Sequence, residues 1–403
     1  MDSSERRKAE GGRRKVEGGK RRKVLFAFGT RPEAIKLAPV INELRRYPER
    51  FNVRVVVTAQ HREMLDQVLS LFKIKPDYDL GVMREGQSLS DTLVHSLRRL
   101  EPVMKKERPE VVLVQGDATS AFASALAAYY HKIPVAHIEA GLRTLDKFAP
   151  FPEEVNRRFI TIIADWHFAP TLKAKENLLQ EGVPESRIYV TGNTVIDALL
   201  WVRSKVCPER SRGVKSQNDG AEGAIANHRR LILVTLHRRE SFGKPLKRIC
   251  RALVALVKRN PDVIIVYPVH PNPSVRKPVK RFLGGIKNIR LVPPLDYRQF
   301  VELLEQAYLV LTDSGGVQEE APSLGKPVLV LREKTERPEI LAAGCARLVG
   351  TDPARIITAT EKLLRSKATY QKMAQAPNPY GDGKAAKRIR QILAQLLRVG
   401  AQP

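Results

Sequence analysis

The sequence predicts an α/β protein made of two Rossmann-like domains with a cleft between them. Three observations carry that expectation. Short apolar runs alternate with helical segments in two series, one before and one after residues 204–230. Connections within each series are short, as in an open, doubly wound parallel sheet. Polar residues suited to chemistry fall at the ends of the apolar runs, where such sheets bind ligands.

Ordered structure is expected from Val24. Residues 1–23 hold ten Lys/Arg and four Asp/Glu with no apolar period, the composition of a disordered basic tail. "VLFAFG" (24–29) reads as a buried strand. Pro32 then stands where a first helical turn tolerates it, and "PEAIKLAPVINELRRY" is the helix. The first series continues with strands "VRVVVTA" (53–59), "VVLVQGD" (111–117), "PVAHIEA" (134–140), "WHFAP" and "IYVTGN", and with helices over 120–130 and from about Glu153.

Residues 204–230 are polar and rich in turn formers, so they read as a linker or surface insertion between a first domain (24–203) and a second (231–383). In the second series the strands are "LILVTLH" (231–237), "VIIVYPVH" (263–270), "IRLVPP" (289–294), "LVLTDS" (309–314) and "PVLVL" (327–331). Helices are expected over 245–259, 297–307 and from about 317. An amphipathic helix near 384–398, within a C-terminal segment 384–403, closes the chain with no docking surface assigned by the sequence.

Composition narrows the function classes. With 43% apolar and 28% charged residues the chain can bury sizeable cores. No apolar run reaches the roughly 18 residues of a membrane span, and the N-terminus lacks the apolar core of a signal peptide, so no membrane insertion and a cytoplasmic location are expected. The three cysteines have no metal spacing and are expected to be reduced. A net charge of +27 invites a nucleic-acid reading. The excess is spread along the chain and only 6% of residues are aromatic, which argues against nucleic acid and leaves a phosphorylated small substrate.

Four polar groups stand at the strand ends. Gly29-Thr30-Arg31-Pro32-Glu33 is either a tight turn with a surface arginine or a phosphate contact made by N–H groups and a guanidinium. Asp117, Glu139 and Glu153 are carboxylates at or after successive strands. Singly each could be a helix cap; grouped, they raise one another's pKa and suit proton transfer near neutral pH. His237 ends its strand in the dense polar run His237-Arg238-Arg239-Glu240, suited to a proton or a phosphate oxygen, whereas His270 reads as structural. Ser314-Gly315-Gly316 opens a helix without a Walker lysine, and Glu319-Glu320 follow one turn on, where an acid can accept ribose hydroxyls. Together these point to a nucleoside diphosphate, and the lack of a G-x-G-x-x-G pattern disfavours a redox dinucleotide.

Longer pieces carry a resemblance. "FGTRPEAIKLAPV", "TAQHREMLDQVL", "VQGD", "HIEAGLRT", "PEEVNRR", "TGNTVIDALL", "HRRESFG", "TDSGGVQEEAPSLGKPVLVLREKTERPE" and "NPYGDGKAAKRI" run in order from Val24 to about Arg390. They resemble the non-hydrolysing UDP-N-acetylglucosamine 2-epimerases. That resemblance implies a glycosyltransferase-B-like fold and reversible conversion of UDP-GlcNAc to UDP-ManNAc for bacterial or archaeal surface polysaccharides. It implies anti elimination of UDP to a 2-acetamidoglucal and re-addition to the other face, with no cofactor, no metal and a homodimeric enzyme.

Position by position, it assigns Asp117, Glu139, Glu153 and His237 to catalysis. Arg31, Lys36, Ser314, Gly315, Gly316, Glu320 and Arg337 match nucleotide-binding positions, with Phe300 near the uracil. Gln60 and His61 match a loop that binds a second, activating UDP-GlcNAc. The sequence departs from the family at Leu236 (usually Gly), Phe151 (often Trp) and Ala118 (usually Thr). A leucine beside the histidine is expected to alter the backbone or narrow the sugar pocket, which keeps a 2,3-diacetamido UDP-sugar open as substrate. A UDP-sugar-dependent glycosyltransferase of the same fold is the other alternative; the proton-handling set argues against it. A hydrolysing epimerase and a binding-only protein are further ones.

Overall fold

The computed structural model describes residues 21–58, 62–82, 87–206 and 230–398. Residues 1–20 of the basic tail, Gln60 and His61, and 207–229 of the linker lie outside the described residues.

Two parallel sheets form the frame. The first contains β1 (Arg22–Phe28), β2 (Phe51–Val57), β3 (Tyr78–Asp79), β4 (Val111–Gln115), β5 (Val135–Ile138), β6 (Trp166–Ala169) and β7 (Ile188–Val190). The second contains β8 (Arg230–Thr235), β9 (Val263–Pro268), β10 (Ile289–Val292), β11 (Leu309–Thr312), β12 (Val328–Val330) and β13 (Ala346–Leu348). Spatial orders are β3-β2-β1-β4-β5-β6-β7 and β10-β9-β8-β11-β12-β13. Each order reverses direction once, between β1 and β4 and between β8 and β11. Such a reversal leaves a crevice outside the strand ends, because the connections on its two sides leave toward opposite faces.

The strands form because both faces are covered. Val24 to Phe28 are fully buried, with Phe26 in register with Val55 on one side and Leu113 on the other. Burial of each such large side chain stabilises the fold by about 1.5–3 kcal/mol. The helix Arg31–Arg45 is nucleated at Thr30, whose hydroxyl accepts the Glu33 N–H while Glu33 accepts the Thr30 N–H at 2.7 Å. Strand β1 starts two residues before the expected Val24, and the helix Thr194–Val206 runs past the expected linker start.

The C-terminal helix Ala385–Leu396 has a defined seat. It returns to the first sheet's side, where Asp197 accepts the N–H groups of Ala385 and Ala386 at 3.1 and 3.0 Å. Arg390 pairs with Glu43 at 3.1 Å, and Ile389 and Leu393 are fully buried. One apolar cluster continues from Leu37 and Ile41 through Leu199 to Val301 and Val317 of the second sheet's helices. Among the described residues no helix is long and apolar enough to cross a membrane.

Candidate active site

The switch point of the first sheet carries the predicted acids. Glu139 follows β5 with φ +65°, a left-handed conformation that costs a non-glycine residue roughly 1–2 kcal/mol. Its carboxylate is buried and closely held. Lys36 Nζ lies 2.6 Å from both oxygens, Gln115 Nε2 donates to Oε2, and Asn193 Nδ2 donates to Oε1 at 3.3 Å. Burial pushes Glu139 above the usual carboxylate range; Lys36 opposes this and Glu319 adds to it.

Asp117, after β4, pairs with Arg157, and its carbonyl accepts from Asn156 Nδ2 at 2.9 Å. Both partners come from the helix Glu153–Ile163. Glu153 opens that helix, and burial pushes its carboxyl up, with the Asp117 charge contributing. Its neighbour Glu154 is buried and accepts the N–H groups of Thr144 and Leu145, at 3.1 and 3.3 Å, which fixes the loop after Glu139. Two of the three predicted carboxylates are thus tied to different supports, Asp117 by Arg157 and Glu139 by Lys36, while Glu153 stands near Asp117 at the start of the helix that carries Arg157.

The second switch point is organised by a residue the sequence reading did not single out. Asp313, directly after β11, is fully buried. It accepts the backbone N–H of His237 (3.1 Å) and of Arg238 (3.1 Å) and the Ser241 hydroxyl (2.8 Å), and its Oδ1 is 3.5 Å from His237 Nδ1. Desolvation pushes the His237 imidazole below its ordinary value even though its side chain is 41% exposed, and Asp313 pulls the other way. His270 accepts the Asn272 N–H at 3.2 Å through Nδ1, a turn role. Leu236 is 2% exposed and packs in the second sheet's core with Ile232 and Val234, so it does not narrow a sugar pocket.

Ser314 caps the helix Gly315–Glu320 without spending its hydroxyl on the helix N–H groups. A Cβ on Gly316 would meet nothing within 4 Å, so this backbone is open to a ligand. Arg337 lies against Gly315, pinned by Glu319 and Glu336, each at 2.8 Å. Glu336 also pairs with Arg238 at 2.8 Å, linking the glycine turn to the residue after His237. Glu320 accepts from Tyr297 at 2.7 Å, and burial pushes it up to about 7. Arg31 reaches from the first domain to the carbonyl of Leu295 at 3.3 Å; desolvation holds it below its ordinary value, with Glu320 and Asp296 opposing. Phe300, on the helix Tyr297–Gln306, is half-buried against the shared core.

The glycine at 315 allows a sharp test. A Cβ there would stand 2.7 Å from the Arg337 guanidinium carbon. A free arginine would move aside; this one is held by two buried carboxylates. Gly315→Ala is expected to cost about 1–3 kcal/mol of stability, the usual range for forced overpacking. A lowered denaturation midpoint with unchanged m-value checks it, and an unchanged midpoint refutes the packing argument.

Gln115, Arg157, Asn193 and Asp313 are site residues to which the sequence reading assigns no role, and Glu319, which it groups with Glu320 as a ribose contact, is instead taken by Arg337, Asn193 and Lys36. All lie inside motifs it quoted, but their roles come from partners far away in the chain. Among the described residues no group of three or more His, Cys, Asp or Glu is arranged to hold a metal ion.

Comparisons bear on this geometry. The family model described as UDP-N-acetylglucosamine 2-epimerase matches residues 42–394. The UDP-N-acetylglucosamine 2-epimerase of Escherichia coli (strain K12) is 53% identical over 371 residues, 92% of this chain and 98% of that protein. The crystal structure of UDP-GlcNAc 2-epimerase from Neisseria meningitidis bound to UDP-GlcNAc superposes with a TM-score of 0.86 at 48% identity, covering 93% of this chain and 100% of that one. The Methanocaldococcus jannaschii UDP-GlcNAc 2-epimerase in complex with UDP-GlcNAc and UDP gives 0.76 at 35% identity, covering 93% and 99%.

Proposed function

We propose a reaction course from one premise: the chain belongs to the UDP-N-acetylglucosamine 2-epimerase family, and its reaction is epimerisation of UDP-GlcNAc at C2. UDP leaves C1 with the electron pair of the C1–O bond while a carboxylate takes the C2 proton from the opposite face. A C1=C2 double bond forms, giving a 2-acetamidoglucal. UDP then adds back to C1 as a proton is returned to the other face of C2, and UDP-ManNAc results. Anti departure avoids an unassisted carbanion, because the leaving pair and the C2–H pair move together.

The observation that carries this course is the buried Glu139 beside Lys36, joined through Glu319 to the helix that begins at Ser314. Glu139 and Glu153, both pushed up by burial, suit proton exchange near neutral pH. Arg31, Lys36, Arg337, Ser314, Gly315 and Gly316 supply the cations and N–H groups for the diphosphate, Glu320 the ribose contact and Phe300 the uracil wall. On this reading residues 24–203 carry the acids and 231–383 hold UDP.

Cytoplasmic location, supply of surface polysaccharide precursors and a homodimer complete the reading. For the last, Tyr129, Tyr130, Phe159 and Ile162 are 59, 67, 47 and 81% exposed on two adjoining helices, an apolar face that fits a second copy.

Incubation with UDP-GlcNAc in D₂O, followed by NMR, tests the reaction. Deuterium at C2 in a mixture of UDP-GlcNAc and UDP-ManNAc is expected. Free ManNAc, or no exchange at C2, overturns it; sugar transfer to an added acceptor would favour the transferase.

A further inference from the structure

Glu319 and Glu320 are adjacent but engage different groups. Glu320 faces Tyr297 and Arg31. Glu319 is fully buried, and its Oε1 is taken by Arg337 Nε and Nη2, both at 2.8 Å. Its Oε2 crosses to the first domain, 3.2 Å from Asn193 Nδ2 and 3.6 Å from Lys36 Nζ. The same amide and the same ammonium contact Glu139, at 3.3 and 2.6 Å. Two bridges, one cationic and one neutral, therefore run between Glu139 and the helix whose first residues are Gly315 and Gly316.

We propose that Glu319 is a positioning residue that shares Lys36 and Asn193 with Glu139 across the cleft, and so couples the seating of the nucleotide-binding helix to the readiness of Glu139. The proposal rests on the proton-handling role given to Glu139 above. The groups facing Glu139 are Lys36, Gln115, Asn193, Glu319, Arg337 and Tyr380. Lys36 alone would stabilise the ionised carboxylate and weaken it as a base. Glu319 competes for that ammonium and keeps Glu139 basic. Lys36 stays charged: burial works against its proton, but the two carboxylates outweigh burial and hold it above its ordinary value. When the helix withdraws, Glu139 is left with Lys36 and loses basicity. C2–H removal is then favoured only while UDP is held and able to return.

The test is the pH profile of C2 exchange in full-length Glu319→Gln, read beside UDP affinity. Removing one charge of the pair should move the acid limb to lower pH by about one unit. It should lower the plateau kcat by up to about tenfold, one pKa unit being a factor of ten in a proton equilibrium of which the rate follows a fraction, with KM and UDP affinity little changed. Glu319→Asp keeps the charge but shortens the reach, and its limb should fall between wild type and Gln. This variant also serves if Glu319→Gln does not fold. An unmoved limb in the soluble variants, or a loss confined to KM, overturns the Glu319 role while Glu139→Gln remains inactive. Full C2 exchange in Glu139→Gln would instead remove the reading beneath it, and the proposal with it.

Discussion

Glu139→Gln is expected to lower deuterium exchange at C2 by about 10²–10⁴, the usual worth of a positioned acid or base, while UDP still binds. Glutamine has the shape of glutamate and can still accept from one of Gln115 and Asn193, while its NH2 can donate to the other once that amide flips, so the local packing survives. The backbone at φ +65° is no worse for Gln than for Glu. Lys36 loses a partner at 2.6 Å but keeps Glu319 at 3.6 Å, so no unpaired charge is left buried. What disappears is the ability to take a proton. Exchange by NMR and UDP affinity by calorimetry separate the two consequences. Equal loss of both would make Glu139 a nucleotide or structural contact.

How far this site could be read from the chain depends on which interactions are local. Strand β1 was legible because five consecutive buried residues leave no other reading, and the helix Arg31–Arg45 because Thr30, Pro32 and Glu33 spell out its start. Strand β3, two residues long, has no period to detect, and the helices Pro353–Arg365 and Lys367–Ala374 were passed over. Strand order was not legible at all: nothing local tells β1 to pair with β4 rather than β3. The same divide separates the site residues. The turn-forming Ser314-Gly315-Gly316 and the strand-end His237 announce themselves by position. Asp313 matters only because β11 lies beside β8, which brings it under the N–H groups of His237 and Arg238. Asn193 matters only because the loop after β7 meets Glu319. Leu236 shows the converse: its difference from the family pattern suggested a narrowed pocket, but strand alternation turns it into the core.

His237→Ala should lower turnover by about 10² or more if the imidazole works on the leaving oxygen or a proton. The case for that role is one of sides. Anti elimination needs the proton and UDP to depart on opposite faces of the sugar, so the groups serving the two events approach from different sides, with Lys36 alone standing against the base Glu139 while also serving the diphosphate. Glu139, Asp117 and Glu153 all belong to the first domain. His237 and Arg337 belong to the second, with the Ser314 turn, and Asp313 anchors the histidine backbone directly beside that turn. On the reaction course proposed above, a histidine so placed stands on the diphosphate's side of the cleft, and its work there would be on the charge that grows on the leaving oxygen. An imidazole held below its ordinary value is largely neutral at pH 7 and carries one N–H; with Asp313 3.5 Å from Nδ1 favouring the proton there, Nε2 is left as an acceptor that must take up a proton before the ring can donate to the leaving oxygen. Turnover measured with UDP affinity decides the matter. Near-normal turnover in His237→Ala would leave the leaving group to Arg337 and the glycine turn alone, while a loss seen only in UDP affinity would reduce the histidine to a binding contact.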